Sequence, residues 1–92
     1  MEELFREWLE ANKKLSDSSI GKYTRAIRAI TKDMLSENVI SKDLYNITSS
    51  VEFDNIMKII ISNDFFSKKD IRGNRMYSVA MNHYYDFLES RE

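Results

Sequence analysis

Proline is absent from this chain of 92 residues, and glycine occurs only twice, as Gly21 and Gly73. A sheet needs frequent reversals, and reversals draw on Gly and Pro; a bundle of helices needs few. The scarcity of both predicts an all-α domain. The length fits one domain, near the small end of what folds unaided. Cysteine is also absent, so neither a disulfide nor a thiolate-bound metal can brace it. The core must come from packing alone, and a hydrophobic content of 42% is enough to build one. No stretch approaches the roughly 18 apolar residues of a membrane span. The N-terminal MEELFREWLE is acidic and amphipathic, unlike a secretion signal. The expectation is a soluble protein of the bacterial or phage cytoplasm, with no membrane partner.

The apolar spacing predicts four main helices. Leu4, Phe5, Trp8 and Leu9 share one face of a first helix over residues 2–12, with Trp8 as a core anchor. Ser16 is placed to cap a second helix running to about Glu37, and Asn38 is a suitable stop. Within it Ile20, Tyr23, Ile27, Ile30 and Met34 recur at alternating steps of three and four. A connector over 39–48 carries a short helical turn near Ser41 to Leu44. Ser49-Ser50-Val51-Glu52 reads as a capping box opening a third helix. Phe53, Ile56, Met57, Ile59, Ile60 and Ile61 leave that helix apolar on much of its circumference, which predicts the buried centre of the bundle. Residues 63–73 read as a second connector anchored by Phe65 and Phe66. A last helix over 74–90 has a core stripe of Met76, Tyr77, Ala80, Met81, Tyr84, Phe87 and Leu88. Its opposite face carries Arg75, Ser78, Asn82 and Tyr85.

Catalytic chemistry finds little to work with. His83 is the one histidine, and it borders the apolar stripe, as a packed structural histidine does. No nucleophile and base form a recognisable pair, no glycine-rich phosphate loop is present, and the acids lack calcium-loop spacing. The chain is not expected to be an enzyme by itself, nor to hold a cofactor or metal.

The charge pattern says more than the net charge of −1. Residues 13–32 hold six cations against Asp17 alone, and residues 68–75 hold four against Asp70. Residues 33–67 hold two cations against six acids. On a helical projection Lys22, Arg25, Arg28 and Lys32 point almost directly away from the apolar face of the second helix. Asp33 is the one acid beside them, so local ion pairs cannot neutralise that face. Ser18, Ser19 and Gly21 leave the helix start open to a phosphate. Lys68, Lys69, Arg72 and Arg75 gather at the start of the last helix beside Asn74. Cations of this kind hold phosphate, and Asn and Arg can also read base edges. A competing reading is a protein-interaction or oligomerisation module that uses Tyr85 and the acidic middle. A third treats the cations as a solvated face.

"LSDSSIGKYTRAI" resembles the "L-S-x-x-T-I-x-x-Y-x-x-A-I" opening of the N-terminal SAM-like, or core-binding, domain of phage integrases and other tyrosine recombinases. Leu15, Ser16, Ile20, Tyr23, Ala26 and Ile27 match as written, and Ser19 stands where threonine is usual. The ending "NRMYSVAMNHYYDFL" is similar to the family's last helix, with Tyr84, Phe87 and Leu88 in its close. The plan also resembles N-terminal modules of bacterial restriction endonucleases and restriction ATPases. The resemblance implies a compact, SAM-like bundle of four to five helices that grips duplex DNA through its second and last helices. It also implies a single domain over 1–92 that serves as the N-terminal module of a larger protein, a restriction endonuclease before an integrase. The catalytic domain would be separate. The expected DNA contacts are Lys22, Arg25, Arg28, Lys32, Lys68, Lys69, Arg72 and Arg75, with Asn74 at a base edge.

Overall fold

In the computed structural model, which describes residues 1–92, five α-helices follow one another: α1 Glu2–Lys13, α2 Asp17–Ser36, α3 Ser50–Ile61, α4 Asp64–Arg72 and α5 Met76–Ser90. A 3-10 turn, Leu44–Asn46, interrupts the link between α2 and α3. The chain is all-α. Its Cα envelope measures 33 × 28 × 16 Å, thin enough for two helix layers at the usual spacing of about 8–10 Å.

Local chemistry sets most boundaries. The Ser16 hydroxyl accepts the Ser19 amide at 3.2 Å and opens α2. Asn38, at φ 58°, turns the chain out beyond its end, as expected. The 3-10 turn begins at Leu44, where the expected turn was to end, because the Asp43 carboxylate accepts the Tyr45 amide at 2.8 Å. The capping box of α3 forms by half. The Ser49 hydroxyl accepts the Glu52 amide at 3.2 Å, but the Glu52 side chain pairs with Lys42 at 2.6 Å. The next amide, that of Ser50, donates to the Glu92 carboxylate at 2.9 Å.

Three expectations need correction. The segment 63–73 is not a connector: Asn63 Oδ1 accepts the Phe66 amide at 2.9 Å and starts the nine-residue helix α4. Phe66 is buried there and Phe65 is exposed. Nor is α3 the buried centre. Val51, Ile59 and Ile61 are exposed, because α3 packs against α5 and α4 and its outer face is left uncovered. The central pair is α2 and α5, which share the most extensive helix interface. Finally, α5 begins two residues late. Asn74 and Arg75 both adopt left-handed φ, 55° and 63°. The Arg75 side chain makes no cap; the buried Asp70 carboxylate reaches over from α4 and accepts the Ser78 amide at 3.0 Å. Ser78 and Tyr85 are half-buried rather than fully outward.

The core centres on Tyr84, which is completely buried. Its ring meets Phe5 edge-on at 5.1 Å, Phe53 at 5.0 Å and Tyr45 at 5.5 Å. Its hydroxyl donates to the Ile47 carbonyl at 3.0 Å. Burial pushes the phenol far above its ordinary value, so it stays a donor. Tyr45 repeats the device, donating to the Thr24 carbonyl at 2.8 Å. Trp8 anchors the edge at 5.9 Å from Phe87, half-buried as a packing residue should be.

Tyr84→Phe should lower unfolding free energy by about 1–3 kcal/mol, because it orphans the buried Ile47 carbonyl. Tyr84→Ala should cost about 3–5 kcal/mol through the cavity it leaves. Urea denaturation reads both.

His83 meets the Tyr23 ring edge-on at 4.9 Å. Burial and then Lys13 lower its pKa from 6.5, while Asp86 opposes them. The folded state therefore holds the proton less tightly than the unfolded chain. Its contribution is fully present above pH 6.5 and drains away as pH falls through the folded value. His83→Gln should reduce the drop in thermal midpoint between about pH 7.5 and pH 5.

Candidate nucleic-acid interface

The structure divides the expected cationic face of α2. Arg28 turns toward α1, where its Nε and Nη2 donate to the two Glu2 oxygens at 2.5 and 2.6 Å. These bonds raise its already high pKa. The expectation that acids leave this face unquenched therefore fails at Arg28: the neutralising carboxylate comes from another helix. It fails at Lys69 too. The Lys69 ammonium meets Asp33 at 2.6 Å, tying α4 to α2, and lies 5.3 Å from the centre of the Tyr77 ring. Lys69 therefore works as a clamp on Tyr77.

Lys22, Arg25, Lys32, Lys68, Arg72 and Arg75 are exposed and form no ion pair. Two of them border a groove of about 400 Å³, where α2 crosses the start of α5. Lys22 and Arg25 form one wall, Ala26 and Ala29 the floor, and Met76 and Tyr77 the other wall. A second depression of about 290 Å³ shares Lys22 and Met76 with it and reaches Ser19, Gly73 and Asn74. The two depressions form one valley, to which the first basic segment brings Lys22 and Arg25 and the second brings only the neutral Gly73 and Asn74. Lys22, Arg25 and Asn74 lie in it. Lys32 lies further along α2 toward Asp33, in the same direction as Arg25 on the helix. Lys68, Arg72 and Arg75 belong to the exposed side of α4 and the turn after it.

Both glycines flank the valley. A Cβ on Gly21 would come within 2.9 Å of the Arg25 Nη1, because that guanidinium folds back over Gly21. A Cβ on Gly73 would come within 3.1 Å of Tyr77 Cε2. Neither glycine has a positive φ. Their service is room: one lets Arg25 lie along the groove wall, and the other lets Tyr77 settle over the α4–α5 turn. Sequence reasoning missed Tyr77 and Met76 as site residues, because their spacing assigns them to the core stripe. Both are half-buried and serve core and groove at once.

The helix starts are less open than expected. Ser16 occupies the Ser19 amide, and Asp70 occupies the Ser78 amide. Phosphate binding here falls to side chains. A separate concavity of about 560 Å³ lies between the end of α2 and α3, with Leu35, Val39, Ile40, Ile56 and Ile59 on its walls. The Lys42–Glu52 pair sits at its edge, so it carries no unpaired cation. No group of His, Cys, Asp or Glu could hold a metal ion.

Gly21→Ala should raise stability by up to about 1 kcal/mol through helix propensity. The nearby guanidinium is the end of a flexible side chain and can move aside. Urea denaturation reads the stability, and the Arg25 Nε–Hε NMR signal should report the displacement.

No protein-family model, curated protein or solved structure matches the chain.

Proposed function

We propose that this chain is a DNA-binding domain that holds duplex DNA by its sugar–phosphate backbone and positions a separate catalytic domain on it. A restriction-type endonuclease is the preferred parent and a SAM-like integrase module the second. The observation that carries the reading is the valley. Lys22 and Arg25 from α2 face the α4–α5 turn across it, and no carboxylate pairs with either. Lys32 on α2, Lys68 and Arg72 on α4 and Arg75 in the turn are further exposed cations without an ion pair. Charge of this kind draws DNA by releasing condensed counterions and does not itself read sequence. Asn74 lies in the second depression, where it could meet a base edge. This reading leaves Arg28 and Lys69 out of the phosphate set, because each has an ion-pair partner, Glu2 and Asp33 respectively.

The groove of Leu35, Val39, Ile40, Ile56 and Ile59 favours a second reading, a protein-interaction module, because Ile59 there is 55% exposed. It would act through an apolar face and show no steep salt dependence.

DNA affinity measured by fluorescence anisotropy should fall steeply with salt. The double change Lys22→Ala and Arg25→Ala should make the log–log slope shallower by about 1 for each phosphate no longer neutralised. Arg28→Ala should leave the slope unchanged. Absence of binding at low salt, or an equal flattening of the slope in Arg28→Ala, would sink the assignment.

A further inference from the structure

A surface that only neutralises phosphates has no need of an apolar trough between its cations. This one has a trough. Its floor is Ala26 and Ala29, and its far wall is Met76 with Tyr77. The aromatic wall is held firmly: Lys69 lies over the Tyr77 ring, Asp33 holds Lys69, and Gly73 gives the ring its place. The cationic wall is shaped as well, since Arg25 folds back over Gly21. A ligand that fills such a groove has an anionic edge and a flat, weakly polar body.

We infer that the groove receives one unpaired nucleotide of a DNA strand, with its phosphate on Lys22 and Arg25 and its base against Met76 and Tyr77. The inference rests on the DNA-binding reading and adds a preference to it. A paired base inside a duplex keeps its faces stacked on its neighbours and cannot enter. A bulged or flipped base can, and stacking on an aromatic wall is indifferent to which base it is. The domain would then favour DNA that is locally unpaired over perfect duplex.

The test compares a perfect duplex with the same duplex carrying one bulged nucleotide, by anisotropy at fixed low salt. The natural chain should bind the bulged duplex at least about 5-fold more tightly, the lower end of what one stacked base supplies. Ala29→Leu fills the trough from its floor, and Tyr77→Leu removes the ring. Each should bring the ratio of the two affinities to about 1, whereas Arg28→Ala keeps it. Because Ala29→Leu adds volume without removing a core group, it keeps the test decisive if Tyr77→Leu fails to fold. No binding to either DNA would overturn the DNA reading and this inference with it. Duplex binding without a bulge preference, or a preference that survives Ala29→Leu, would overturn this inference alone. Deoxyadenosine monophosphate binding as tightly as the bulged duplex would make the groove a free-nucleotide pocket and overturn the strand assignment.

Discussion

The buried Tyr84 is the residue on which the arrangement depends. It sits on α5, yet its ring touches α1 through Phe5, the 3-10 turn through Tyr45 and α3 through Phe53. Its hydroxyl then fixes the Ile47 carbonyl, in a stretch that no regular helix holds. Edge-to-face aromatic packing is directional, so each such pair also limits the angle at which its helix can approach. With no disulfide or proline to fix the chain, one side chain sets four elements against each other. Tyr45 adds a second such tie, from the 3-10 turn back to α2.

That anchoring explains where the valley lies. Once Tyr84 and Phe87 fix one end of α5 in the core, its first turn must cross α2 near Ala26 and Ala29, whose small side chains leave a depression. The α4–α5 turn is held to this place by two carboxylates with different tasks. Asp70 is buried and supplies the missing cap of α5. Asp33 neutralises Lys69 and so fixes the Tyr77 ring from above. The acids near the valley are thus engaged in structure, which leaves Lys22 and Arg25 unpaired although the chain as a whole is slightly acidic.

The all-α class, α1, α2 and the start of α3 were legible in the sequence because each rests on local signals. The Ser16 and Ser49 caps, the three-four spacing of Ile20 to Met34, and the stop at Asn38 all act within a turn or two. What was not legible is non-local. The Arg28–Glu2 and Lys69–Asp33 pairs span 26 and 36 residues, so helix-local reasoning about neutralisation had no access to them. The apolar content of α3 announces burial but not its side, and Ile59 and Ile61 remain exposed because no neighbour covers them. α4 was hidden for another reason: its nine residues bury only Phe66 and Asp70, too short a pattern to show a period. Of the candidate groove, Lys22 and Arg25 stood out in the sequence as exposed cations, and their position opposite Met76 and Tyr77 did not.

The left-handed backbone positions of this protein are Lys14, Asn38, Asn74 and Arg75, while Gly21 and Gly73 have ordinary φ. Glycine is thus missing where backbone sterics favour it and present where they do not require it. For a bulky residue such as Arg75 the left-handed state carries a penalty on the order of 1 kcal/mol. The domain therefore keeps an untapped reserve of stability at its turns. Glycine at those turns would release that penalty. The two glycines instead keep space beside Arg25 and Tyr77, so in this domain they relieve crowding between side chains and not strain in the backbone.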